Sequence, residues 1–176
     1  LSFFYSRLIF KSLNFLIYNF YFNKKKKIIF NKFIWIDNNF IPDYPLIFAK
    51  DGFLTIQPFI PIKEASKNIK SILLLCQKFK FEGIFCPIKK YKNHDADNSF
   101  SFGGNGFSIV IDVPLKNKHH LENFLDEILD LISSFGGNVY LTKDFYLNKK
   151  HLKEILYNYE NFLKFKKDYD ENSLFS

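Results

Sequence analysis

The chain has no methionine, even at its first position, where Leu1 stands, and it has only one tryptophan and two cysteines in 176 residues. The missing start predicts the carboxy-terminal piece of a longer protein. Two cysteines, Cys76 and Cys86, cannot make a disulfide framework, and neither CxxC spacing nor a histidine cluster surrounds them. Core packing in a reducing compartment is their expected role, and no metal is expected. GxGxxG and P-loop fingerprints are missing as well, and Gly103-Gly104-Asn105-Gly106 is too short and wrongly placed to cradle a phosphate. These residues alone are therefore not expected to hold a nucleotide tightly. Long apolar runs are also scarce. Residues 1–22 are rich in Phe, Tyr, Leu and Ile, but Arg7, Lys11 and Asn14 interrupt them. The stretch left between Leu13 and Phe22 is far short of the roughly 18–20 residues that span a bilayer. Basic residues follow this region and no small-residue cleavage site appears, which argues against a signal peptide. The segment is expected to pack on protein outside this sequence or to lie on a membrane surface.

What the chain does have is apolar bulk: 47% hydrophobic residues, with 24 Phe and 10 Tyr, enough to bury one domain's core. Its net charge of +7 owes much to the run Lys24-Lys25-Lys26-Lys27, for which a solvated turn is the plain reading and an anionic surface the sharper one. Abundant Phe, Tyr, Lys, Asn and Ile also reflect an AT-rich coding composition, so basic and aromatic content does not by itself argue for nucleic acid. No nucleic-acid partner is expected.

From Gly52 onward the periodicity becomes regular. Gly52–Pro61 alternates, with Phe53, Thr55, Gln57 and Phe59 on one side and Leu54, Ile56 and Ile60 on the other, which predicts a strand. Ile62, Ala65, Ile69, Ile72, Leu73 and Cys76 then recur at helical spacing opposite Lys63, Glu64, Lys67 and Lys70. Ile84–Tyr91 returns to strand character, and His94–Ser99 is a polar loop. Gly106–Pro114 is the clearest strand, with Phe107, Ile109, Ile111 and Val113 alternating with Ser108, Val110 and Asp112. Leu121, Phe124, Leu125, Ile128, Leu129 and Ile132 form a second helical stripe, ended by Gly136-Gly137, and Val139–Thr142 is a short last strand. Lys149–Tyr157 and Glu160–Asp168 read as two further short helices. The order β-α-β-β-α-β predicts an α+β, ferredoxin-like antiparallel sheet with both helices on one face, followed by C-terminal helices.

That architecture leaves one sheet face uncovered. Thr55, Gln57, Lys89, Ser108, Val110 and Lys143 fall on elements that build it, and polar groups gathered on an otherwise buried face imply a ligand or another domain. Taken singly, each has ordinary surface exposure as its simpler reading. His94, His119, His120 and His151 lie in a loop or near helix starts, and none is promoted to a catalytic base.

Several motifs carry a resemblance across residues 33–175. Asp51-Gly52-Phe53-Leu54-Thr55-Ile56-Gln57-Pro58-Phe59-Ile60-Pro61, Phe85-Cys86-Pro87-Ile88-Lys89-Lys90, Phe100-Ser101-Phe102 with Gly106–Pro114, and Tyr140-Leu141-Thr142-Lys143-Asp144 recur in one order. In that order they resemble the C-terminal cap domain of FAD-linked sugar and aldonolactone oxidases of the vanillyl-alcohol-oxidase superfamily. The similarity is greatest to the decaprenylphosphoryl-ribose oxidase branch. The resemblance implies that Gln57 points at flavin and substrate, that Lys89 is a substrate-side lysine, and that Lys143 sits beside the flavin. Thr55, Ser108, Val110 and Tyr140 would line the substrate. Departures are Val110 where the mycobacterial enzymes have cysteine, Gly103 where they have proline, and Glu171 in place of a proline near the end. Tyr140, where aldonolactone oxidases have histidine, favours the polyprenyl-phosphosugar branch.

The implied organisation is an inter-domain crossing over residues 1–50, a substrate domain over 51–145, and helices over 146–176 that return to an FAD-binding domain outside this sequence. The implied reaction converts a secondary alcohol, the 2-hydroxyl of a polyprenylphosphoryl pentose, to a ketone, and a partner reductase would complete an epimerisation. The implied location is cytoplasmic or peripheral on the inner membrane face. A fixed ammonium near N1 and the C2 carbonyl stabilises the charge that a flavin gains with hydride, which suits Lys143, and an amide that both donates and accepts suits Gln57 as an orienting group. Aldonolactone oxidation is the nearest alternative. A ferredoxin-like module that binds RNA or protein is the alternative of another class.

Overall fold

The computed structural model describes residues 7–21, 52–81, 86–92, 102–115, 117–143, 146–147, 149–156, 159–172 and 174. The loop at His94–Ser99, the run Lys24–Lys27 and most of the expected crossing between positions 1 and 50 lie outside those residues. The chain divides into two compact units. One comprises Leu1–Phe53 with Pro114–Lys116, and the other comprises Leu54–Val113 with Asn117–Ser176. In the first, the described structure is chiefly helix α1, Arg7–Tyr21.

The second unit is the expected sandwich. Its strands are β1 (Phe53–Ile56), β2 (Pro58–Pro61), β3 (Ile88–Tyr91), β4 (Gly106–Ile109), β5 (Ile111–Pro114) and β6 (Asn138–Val139). Helix α2 (Ala65–Lys78) follows β2, helix α3 (Lys118–Ser134) follows β5, and α4 (Lys149–Ile155) and α5 (Tyr159–Tyr169) close the chain. The main sheet has the order β3-β4-β2-β6, and each of its pairs is antiparallel. Counted along the β-α-β-β-α-β frame this is the ferredoxin-like order, in which strands from the two halves interleave at the centre. Both long helices pack on one face of it.

That face is a close-packed apolar layer. Ile60, Ile109 and Val139 from the sheet meet Ile72 and Cys76 of α2 and Phe124, Ile128 and Ile132 of α3 in one cluster. Helix α3 buries Leu121, Phe124, Leu125, Ile128, Leu129 and Ile132, the stripe that its 3–4 residue spacing predicts. Each such side chain contributes about 1.5–3 kcal/mol on leaving water. Asn117 starts the helix by accepting the His120 N–H at 3.3 Å, and Gly136, at φ 67°, takes the left-handed turn that ends it. Helix α4 belongs to the same unit, with Ile155 in the common core, whereas α5 has no buried residue.

Four expectations about element bounds need correction. Gly52–Pro61 is not one strand but two, broken at Gln57, and Gly106–Pro114 is likewise broken at Val110. At these breaks the backbone changes partners: the Gln57 carbonyl accepts from the Tyr140 N–H at 3.0 Å, and the Val110 N–H donates to Pro87 O at 3.1 Å. Beyond the breaks β1 and β5 pair with each other as a separate two-stranded sheet. The last strand ends at Val139 rather than Thr142, because its partner β2 runs out at Pro58, and Leu141–Lys143 is a turn. Helix α2 starts at Ala65 rather than Ile62, after a turn in which Glu64 adopts left-handed φ 56°.

Candidate functional site

The sheet face turned away from α2 and α3 follows from register. Phe59 stands opposite Ser108, Ser108 opposite Lys89, Gly106 opposite Tyr91, and Phe59 opposite Asn138, so these positions share one side. Gln57 joins them by alternation with Phe59. The centre of this face is out of water: Gln57 is 3% exposed and Ser108 is 0% exposed.

These buried polar groups are paired. The Gln57 amide Nε2 donates to Ser108 Oγ at 3.2 Å, and that hydroxyl makes a longer contact of 3.5 Å with Tyr91 Oη. Beyond the strand breaks, the Thr55 hydroxyl donates to Asp112 Oδ1 at 2.6 Å, and Asp112 is the one acidic residue buried among the described residues. Val110, also buried, separates Ser108 from Asp112 along the chain. Near this end Cys86 has its thiol pushed up from 9.0 to about 11, first by burial and then by the negative charge of Asp112. It is therefore a protonated packing group at neutral pH, not a nucleophile.

An aromatic cover closes the row. Phe102 sets its ring edge-on to Phe59 at 6.2 Å and to Tyr91 at 5.7 Å, and lies 4.9 Å from the Tyr140 ring. The following glycines make this close approach feasible. Gly103 and Gly104 have φ of 126° and 145°, and a Cβ on them would come within 3.3 Å of the Tyr91 ring and 3.2 Å of the Phe59 ring. Gly106 is tighter still, since a Cβ there would strike the Ile60 carbonyl oxygen.

Of the residues singled out in the sequence, the structure brings Gln57, Ser108 and Tyr140 together, with Thr55 on the adjoining strand β1 and Val110 at the break between β4 and β5. Lys89 stands opposite Ser108 in β3 but is exposed. Lys143 does not end a strand on this face. It is an exposed residue of the turn after β6, whose N–H donates to Tyr140 O at 3.0 Å. The cation therefore follows the row in the chain but does not enter its buried part. Tyr91, Phe102 and Asp112 belong to the same neighbourhood and were not singled out. Asp112 had a signal, being the polar residue two beyond Val110 in an apolar alternation, and the Gly-Gly pair marked Phe102.

Two of the described histidines, His120 and His151, are held by the fold, and His119 is exposed. His120 Nε2 lies 2.8 Å from Phe79 O, between the rings of Phe79 and Phe81, and His151 is buried on α4 with its Nε2 3.4 Å from Asp130 Oδ1 of α3. No group of three or more His, Cys, Asp or Glu able to hold a metal occurs among the described residues. No family model matches the chain, and no curated protein matches it.

Proposed function

We propose that this chain is the substrate-side domain of an FAD-dependent oxidoreductase that oxidises a secondary alcohol of a sugar to a ketone, with the 2-hydroxyl of a polyprenylphosphoryl pentose as substrate. The observation that carries the reading is the Gln57–Ser108 pair, buried on the sheet face turned away from α2 and α3, near Phe59, Phe102 and Tyr140. A folding core does not need a primary amide and a hydroxyl there. A sugar does, because its hydroxyls take directional donors and acceptors while its C–H faces rest on aromatic rings.

Of the two residues that the resemblance assigns to the flavin, Gln57 is buried and Lys143 is open to a ring brought by another segment. Lys143, exposed one turn after Tyr140, can present an ammonium to a ring held by another polypeptide segment. Neither the sequence nor the described loops offer a pyrophosphate cradle, so the nucleotide half would be held outside these residues. Bound flavin would supply the acceptor for the hydride of the carbinol C–H. The work of this chain is to orient the alcohol with Gln57 and Ser108, to exclude water with Phe102, and to place a cation with Lys143. Asp112, the buried carboxylate that accepts from Thr55 beyond the strand breaks, is the candidate to receive the hydroxyl proton. A cytoplasmic or inner-membrane-face location goes with a polyprenyl-phosphate substrate.

The test is rapid-mixing flavin reduction in the full-length protein. Gln57→Leu and Lys143→Ala should each slow reduction by about 10²-fold with flavin still bound, the scale of losing one preorganised donor. Unchanged rates in both variants, or a full-length protein without a flavin spectrum, would remove the proposal. The second reading, an RNA-binding ferredoxin-like module, is favoured by Tyr91 and Lys89 on the same face. It calls for open stacking platforms, whereas Phe59 is buried and covered by Phe102. Salt-sensitive binding of single-stranded RNA, lost in Tyr91→Ala, would favour it.

A further inference from the structure

Helix α1 differs from α2 and α3 in what it does with its apolar residues. Helix α3 buries its stripe and α2 buries Ala65, Ile72 and Cys76, but in α1 Leu8 is 75% exposed, Phe15 65%, Leu16 50%, Ile17 40% and Phe20 71%. Leu16, Ile17 and Phe20 stand at i, i+1 and i+4 on one side of the helix, and Lys11, Asn14 and Tyr18 at i, i+3 and i+7 on the other. The helix is therefore amphipathic, and Leu16, Ile17 and Phe20 on its apolar side are exposed.

Charge indicates what covers it. Residues 1–36 contain seven Lys or Arg and no Asp or Glu, which accounts for the whole net charge of +7, and the remaining 140 residues balance to zero. A basic segment with exposed Leu, Ile and Phe suits a surface that is anionic outside and apolar beneath. A nucleic acid would match the charge but not the apolar side, and an apolar protein groove would match the side but not the charge. The length sets the orientation. Fifteen residues rise about 22 Å, short of the ~30 Å hydrocarbon core, and no described helix is long and apolar enough to cross a membrane.

We infer that α1 is an in-plane anchor that lays Leu16, Ile17 and Phe20 into an anionic lipid bilayer, with Lys11 and Tyr18 on the side that faces the headgroups. Such helices bind by buried apolar area together with attraction to acidic lipids, so both contributions should be separable. The inference does not depend on the oxidation chemistry proposed above, and its test reads no activity.

The experiment is vesicle co-sedimentation of the protein, comparing phosphatidylcholine vesicles with vesicles in which roughly one third of the lipid is phosphatidylglycerol. Binding to the acidic vesicles should be at least ~10-fold tighter and should weaken as salt shortens the screening length. The double variant Leu16→Ser, Phe20→Ser should lose ~10-fold or more of that binding while its circular dichroism and melting temperature stay unchanged, and Lys11→Glu should lose less. Equal binding to both vesicle types, or full binding by the double variant, would overturn the assignment. So would an absence of vesicle binding accompanied by self-association in light scattering that the double variant abolishes, which would give the apolar side to a second copy of the chain.

Discussion

The two faces of one sheet are both buried at their centre, yet they are built from different chemistry. Toward α2 and α3 the sheet presents Ile60, Ile109 and Val139 and meets only apolar side chains. On the opposite side it presents Gln57, Ser108, Phe59 and Tyr91, with hydroxyl and amide groups bonded to one another beneath an aromatic ring. The first face is accounted for by burial alone, since each aliphatic group there adds to stability by leaving water. The second gains little from its polar pairs, because a buried hydrogen bond largely replaces bonds to solvent. A face that stability does not explain is the one where function should be sought.

The comparison can be broken most forcefully from the apolar side. Phe124→Ala, at a fully buried ring in α3, should destabilise the sandwich by about 3–5 kcal/mol in chemical denaturation. A loss below ~1 kcal/mol would mean that this face is not the dominant core. On the other face, Gln57→Leu combined with Ser108→Ala removes both partners of the hydrogen bond and should change stability by less than ~1 kcal/mol. Ser108→Ala alone, which strands a buried amide, should cost about 1–3 kcal/mol. If the double variant falls further than the single one, the polar pair is structural and the contrast collapses.

The mildest probe is the thiol beside Asp112. With the Cys86 pKa at about 11 against an ordinary 9.0, its thiolate fraction at pH 8 should be roughly a hundredfold below that of a free thiol. Alkylation by iodoacetamide, followed by mass spectrometry, should be slowed by at least that factor. The sign of the linked stability follows: the folded state holds this proton more tightly, so the contribution is complete below pH 9 and is lost as pH rises toward 11. Asp112→Asn should bring the Cys86 value down part of the way, leaving the larger effect of burial in place.

Most of the architecture could be read from spacing. The stripes of α2 and α3, the Gly136 terminator and the element order are local signals; burial follows the α3 stripe residue by residue, whereas in α2 Ala65, Ile72 and Cys76 are buried and Leu73 is exposed. The breaks at Gln57 and Val110 were not legible. Side-chain alternation runs through both residues without interruption, and it does not report when the backbone exchanges one hydrogen-bond partner for another. The same limit misplaced Lys143, whose position depends on how far β2 extends beside β6 rather than on its own neighbours in sequence. Gln57 and Ser108 were legible as polar residues in apolar alternations, but their contact joins positions 51 apart and needed coordinates. Phe102 fell outside any periodic element, and only the glycine pair after it marked a tight approach.

At Gln57 the main chain and the side chain answer to different neighbours. The carbonyl ties the first half of the fold to Tyr140, while the amide reaches across to Ser108. Exchanging the residue leaves the main-chain tether in place, so selection can retune what the face recognises without renegotiating the topology that supports it. A strand interruption thereby becomes an evolvable position, where new specificity can be tried on a scaffold that does not change.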